Sequence, residues 1–192
     1  MTSVEDTALG SRRSFYAQIG AMTGFIKAGK DGEGSVKADY VALARLDPNA
    51  QTLTVQQIAA LTRALQRAKV DCDYFSPMRW RRWGLIAHGI ALAVHSPADE
   101  SRQRLGEQLH RAGVSEPRVT RLLNARGEAL FQNLPRILRL MASRGVAPNW
   151  VEFGTLILNE GAANPLGKRI AEKTRIAIVR DYARARLKSE RK

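Results

Sequence analysis

The side chains with the most chemistry to offer are cationic and aromatic. Arg79-Trp80-Arg81-Arg82-Trp83 sets three guanidinium groups beside two indoles. That pairing suits phosphate contact plus base stacking. Trp80 and Trp83 lie three apart, on one helical face, so the indoles equally suit anchoring in a core. Arg79, Arg81 and Arg82 are therefore the stronger contact candidates. In the last helical segment, at 100° per residue, Arg169, Lys173, Arg180, Arg184, Lys188 and Arg191 share one face, and Ala171, Ile178, Tyr182 and Ala185 share the other. A cationic ridge of this kind tracks phosphates without reading bases. The alternative is a solubilising face, but few acidic side chains stand on that face to neutralise it. Between Arg118 and Arg144, a core stripe of Val119, Leu122, Leu123, Leu130, Leu134, Ile137, Leu138 and Met141 leaves two basic pairs outside it. These are Arg118 with Arg121 and Arg136 with Arg139, open either to nucleic acid or to a neighbouring carboxylate.

Other chemistry is thin. Gly24 to Lys30 has the spacing of a phosphate-binding P-loop, but Asp31 follows where Ser or Thr should ligate Mg²⁺, and no strand precedes it. His88 and His95 are seven apart with no matched carboxylate, a poor metal site. Cys72 is the single cysteine; it forms no internal disulfide and fits a buried, inert thiol in a reducing compartment. Glu152 and Glu160 read as surface carboxylates, and no nucleophile-elbow spacing is present. The sequence predicts no catalytic residue, no cofactor and no metal.

The elements that must position the cations are helical. Strand alternation is nearly absent, and helix starts are legible at Thr54 (capping box with Gln57), Ser96-Pro97, Asn149 and Asn164-Pro165, with stops at Gly113 and Gly145. Periodicity predicts helices near 11–28, 36–46, 54–70, 77–95, 97–112, 116–126, 128–144, 149–159 and 165–188, the segments around Gly127 being candidates for fusion. The fold class is all-α, a helical bundle with an N-terminal helical part (1–96) and a C-terminal basic bundle (97–192), divided at Pro97. With 31 basic and 18 acidic side chains, the 192-residue chain carries a net charge of +13. Residues 1–96 hold 12 basic and 8 acidic groups, residues 97–192 hold 19 and 10, and the part from Asn164 onward holds 10 and 3. Such an excess implies a polyanionic partner, either nucleic acid or an anionic membrane surface. Trp83 to Val94, the longest apolar stretch, is broken by Gly84, His88 and Gly89 and is too short to span a bilayer. The N-terminus has no apolar run of the signal-peptide kind, so a cytoplasmic location is expected.

Leu105-Gly106, Leu109, Gly113, Arg118, Arg121-Leu122-Leu123, Ala125, Leu130, Leu134, Leu138 to Leu140 and Trp150 together resemble the CasB family, the small subunit of the type I-E CRISPR Cascade complex. Lys168-Arg169 and Arg180-Asp181-Tyr182 resemble the family's C-terminal helix, and the likeness runs from about residue 78 to the end. Asn149, Gly127 and the absence of a Trp after Leu158 depart from the pattern. The resemblance implies an all-helical, non-catalytic subunit present in two copies beside other Cascade subunits. It implies contact with guide RNA and with the target and non-target DNA strands, in antiviral defence. Basic residues near Arg79, near Arg118 and Arg136, and at Lys168-Arg169 fall where the family's nucleic-acid face lies. Three rivals stand beside this reading. One is a stand-alone DNA-binding regulator using a helix-turn-helix within Pro97 to Arg126. Another is a nucleotide enzyme using Gly24 to Lys30. The last is a membrane-surface protein, disfavoured by a C-terminal helix whose apolar face has no Trp or Phe.

Overall fold

The computed structural model describes residues 4–93 and 103–191, with side chains from Phe15 onward. Among the described residues it contains nine α-helices and no strand. They are α1 (Val4–Asp31), α2 (Gly34–Ala44), α3 (Val55–Arg67), α4 (Pro77–Ala93), α5 (Leu105–Arg111), α6 (Glu116–Asn124), α7 (Glu128–Ser143), α8 (Trp150–Asn159) and α9 (Pro165–Glu190). The all-α class predicted from periodicity is the one observed. Gly24 to Lys30 lies inside α1, so the P-loop spacing forms no phosphate-cradling loop. The predicted Ser96-Pro97 cap, the division at Pro97 and His95 fall outside the described residues.

Local chemistry sets the helix starts. Thr54 Oγ1 accepts from the Gln57 backbone N–H at 3.3 Å, and the Gln57 side chain accepts from the Thr54 N–H at 3.0 Å, closing the predicted capping box. Asn149 Oδ1 accepts from the N–H groups of Val151 and Glu152 at 3.1 and 3.2 Å. Asn164 accepts from Gly167 N–H at 2.7 Å. The two segments around Gly127 stay separate: α6 ends at Asn124, and Gly127 takes φ +51° before α7 begins, a backbone state that glycine adopts freely.

A single hydrophobic core runs through both halves of the chain. Leu61 and Leu65 of α3, Trp83, Ile86 and Ile90 of α4, Leu134 and Leu138 of α7, and Trp150, Phe153 and Ile157 of α8 all belong to it. Burial of each such side chain contributes about 1.5–3 kcal/mol. The central helix α4 packs against α1, α2, α7 and α8, whereas α9 lies chiefly along α5 and α8. The α5–α9 approach is set by Gly106: a Cβ there would stand 2.3 Å from the Ile178 carbonyl oxygen and 2.5 Å from the Tyr182 nitrogen. Two backbones cannot come this close around any larger residue.

His88 sits in the core at 3% exposure, its Nδ1 3.1 Å from the Leu43 carbonyl and its Nε2 without a partner. Burial pushes its pKa below the ordinary imidazole value; the Leu43 carbonyl opposes this in part, Arg139 adds to the lowering, and the Ala44 backbone and Asp47 oppose it more weakly. The folded state therefore takes up a proton on His88 at lower pH than the unfolded chain, whose imidazole binds one near pH 6.5.

Gly106→Ala is expected to lower stability by about 1–3 kcal/mol in urea titrations, the cost of overpacking a rigid contact. Stability is also expected to fall as pH drops through about 6.5, by at most about 1.4 kcal/mol per pH unit from this one group. His88→Gln should flatten that dependence, and an equal slope in both proteins would contradict the assignment.

Candidate nucleic-acid interface

The predicted contact residues divide by how the fold uses their charge. On α4, Arg79 is exposed and lies with its guanidinium 4.5 Å from the centre of the Phe75 ring. Arg81 turns inward to 7% exposure and makes a bidentate pair with Glu128 of α7, at 2.6 and 2.9 Å, over the face of Phe131. Those hydrogen bonds hold the Glu128 carboxyl below the usual carboxylate range and raise the Arg81 guanidinium above its ordinary value. Arg82 donates to the Leu158 carbonyl at 3.2 Å and to the Glu160 carbonyl, covering orphan acceptors at the end of α8. Burial, then Arg79 beside it, lowers its pKa. Arg81 and Arg82, predicted as contact candidates, thus serve the joints α4–α7 and α4–α8. Trp83 is 2% exposed and edge-on to Phe15, while Trp80 is partly buried against Phe75. The indoles are core anchors.

The arginine pairs of α6 and α7 behave otherwise. Arg118, Arg121, Arg136 and Arg139 are all exposed, and no carboxylate or hydrogen-bond acceptor among the described residues engages them. Their helices bury the opposite face, with Val119, Leu122 and Leu123 on α6 and Leu130, Leu134, Leu138 and Met141 on α7. The arginines stand outward because the apolar stripe turns inward.

On α9, Lys168, Arg169 and Lys173 are exposed and likewise without a partner. Further along, Arg180 makes an ion pair with Asp181 at 2.9 Å, and Arg184 lies 3.9 Å from the same carboxylate. Both remain substantially exposed, so they keep a solvent-facing guanidinium with a neutralised neighbour. The inner stripe holds more than the predicted alanines, Ile178 and Tyr182. Arg175 and Asp181 are buried there too, at 8% and 4% exposure. Arg175 pairs with Glu160, itself 4% exposed, so Glu160 is not the surface carboxylate its sequence context suggested. Glu172 adds a contact to Arg175 at 3.4 Å and one to Arg126 at 3.9 Å.

The predicted contact cations left without a partner, from Arg118 to Lys173, thus lie on α6, α7 and the first half of α9. Their arrangement offers diffuse positive charge to a polyanion. No group of three His, Cys, Asp or Glu side chains among the described residues is placed to hold a metal. Cys72 is buried, and burial together with Asp73 and Asp71 pushes its thiol upward, away from the nucleophilic thiolate. No described helix is long and apolar enough to cross a membrane.

The family model for CRISPR-associated protein Cse2 matches residues 42–182. The match reaches further toward the N-terminus than the likeness seen from about residue 78. No curated protein and no solved structure matches the chain.

The Arg175–Glu160 pair yields a stability test. Arg175→Met leaves a buried carboxylate without its cation and is expected to cost about 3–5 kcal/mol. Adding Glu160→Leu should return much of that loss in the double variant. Equal stability of the single and double variants would show that the pair is not coupled.

Proposed function

The chain belongs to the CRISPR-associated protein Cse2 family and is a type I-E Cascade subunit, and from that premise we propose that it is a non-catalytic strand-holding subunit. Its cations stabilise the pairing of guide RNA with the target strand and steady the displaced non-target DNA strand, serving antiviral defence. Two copies of the chain act beside the other Cascade subunits. Base pairing reads sequence in such a complex, and protein charge supports the opened strands.

The observation that carries the reading is the set of exposed, unpaired cations in the C-terminal half: Arg118, Arg121, Arg136, Arg139, Lys168, Arg169 and Lys173. A cation already neutralised by a buried carboxylate releases few counterions on meeting a phosphate, whereas an unpaired one releases them in full. Arg79, Arg180 and Arg184 extend this surface as secondary contacts. Arg81 and Arg82 act as positioning residues, holding α4 against α7 and α8. The family assignment weighs against a stand-alone regulator, and the placement of Gly24 to Lys30 within α1 weighs against a nucleotide enzyme.

Arg169→Ala/Lys173→Ala is expected to weaken binding of single-stranded DNA equally for unrelated sequences. It should also reduce the slope of log K against log salt by about 1.4, two phosphate contacts at about 0.7 each. Fluorescence anisotropy across a salt series measures both quantities. An unchanged slope would remove these two residues from the interface.

A further inference from the structure

The last helix is apolar on two sides. A helix lying on a bundle needs one apolar stripe, and α9 supplies it with Ala171, Ile178 and Tyr182, all buried. On the outer side of α9 stands a second stripe. Ile176, Val179, Ala183 and Leu187 fall within an arc of about 80° at about 100° per residue. Ile176 is 61% exposed, Val179 50% and Leu187 54%, and Ala183 is exposed as well. None of the four belongs to the hydrophobic core or to the side chains packed against it. The stripe covers about three turns, or about 16 Å of helix. Helix formation does not account for it, because Ile and Val are poorer helix formers than the Lys, Arg and Glu found elsewhere on the exposed side.

Between Ile176 and Leu187 the borders of this stripe are arginines. Arg180 and Arg184 run along one side and Arg186 along the other. The carboxylates in line with it, Glu172 and Glu190, stand beyond its two ends, and both are engaged. Glu172 contacts Arg126 and Arg175 at 3.9 and 3.4 Å, and Glu190 pairs with Arg186 at 2.9 Å. Arg180 and Arg184 share the one buried carboxylate of Asp181. That leaves a positive charge in excess and guanidinium donors facing solvent. A second copy laid on the stripe through its own α9 sets arginine against arginine. Antiparallel pairing brings Arg180 and Arg184 beside their own counterparts, and parallel pairing brings them beside Arg186, either way at a cost in like-charge repulsion. A nucleic-acid strand makes no use of the four apolar side chains, none of which is an aromatic stacking platform.

We propose that the outer stripe of α9, from Ile176 to Leu187, is the seat of an amphipathic helix from another Cascade subunit, one whose apolar seam is bordered by Asp or Glu. The inference rests on the reading of the chain as a subunit beside others and names the surface by which one of them is held. The seam of the incoming helix packs ridges into grooves over Ile176, Val179 and Leu187 and takes their exposed apolar area out of water. Its carboxylates meet Arg180 and Arg184, whose planar forks suit two-pronged pairing. The stripe also divides α9 along its length. Lys168, Arg169 and Lys173 precede it and are left to the strand, while the half from Ile176 onward holds the subunit in place.

The test uses the full chain, alone and in assembled Cascade. Val179→Cys is labelled with a maleimide in both, and the wild-type chain, whose Cys72 is buried, gives the background. Assembly is expected to slow the labelling about tenfold, since a packed seam excludes water. A photo-crosslinker carried on the same thiol is expected to join another subunit, at a helical segment with carboxylates beside an apolar seam. Ile176→Gln/Leu187→Gln is expected to lower the amount of this chain recovered with the complex about fivefold, the scale on which an interface side chain counts. Thermal unfolding and single-stranded DNA binding of that variant alone should match wild type. Where the variant does not fold, the labelling of Val179→Cys decides by itself. Equal labelling rates in the free and assembled chain, full recovery of the folded Gln variant, or a crosslink to a second copy of this chain or to nucleic acid would overturn the proposal. If Val179→Cys is protected while Arg169→Ala/Lys173→Ala leaves strand binding unchanged, the seat stands and the strand-holding role of those two residues fails. The reverse pair of results removes the seat alone.

Discussion

Glu160 is a carboxylate with 4% exposure at the end of α8, and much of the molecule is arranged around the need to compensate it. A buried charge is tolerated only when paired and hydrogen-bonded. Arg175, from the inner stripe of α9, pairs with its side chain, and Arg82, from α4, donates to its backbone carbonyl. Three helices therefore meet at one residue. A shift of α9 by one turn would separate Arg175 from Glu160 and leave the Glu160 carboxylate buried without its cation. Gly106 enforces the same register nearer the C-terminal end, where it admits the backbone of α9 between Ile178 and Tyr182. With register and rotation of α9 set from inside, Lys168, Arg169 and Lys173 have only solvent to face.

That constraint sorts the arginines into two kinds. Arg81, Arg82 and Arg175 are spent on joints between helices, and each has a partner 15 or more residues away in sequence. Arg118, Arg121, Arg136 and Arg139 stand on amphipathic helices whose apolar stripes do the packing. Of the predicted contact residues, those left without a partner lie on α6, α7 and the start of α9.

Local patterns in the sequence carried the helices well. Thr54, Asn149 and Asn164 were legible as caps because a capping bond spans only two or three residues. Gly127 marked a break whose reality depended on its φ of +51°, a property no pattern displays. The arginines were harder. Periodicity treats Arg81 and Arg175 as polar positions on a face, and it cannot see that Glu128 lies 47 residues from Arg81. Glu160 looked like a surface carboxylate for the same reason. The pairs on α6 and α7 were legible because their exposure follows from the neighbouring leucines.

The most direct measurement is the salt dependence of single-stranded DNA binding by the full chain. If the unpaired cations hold the strand, the slope of log K against log salt is about −3 to −5, the value for four to seven phosphate contacts at about 0.7 each. It should be the same for unrelated sequences. A slope near zero, with affinity kept at high salt, would contradict an electrostatic grip and assign the exposed cations to solubility alone.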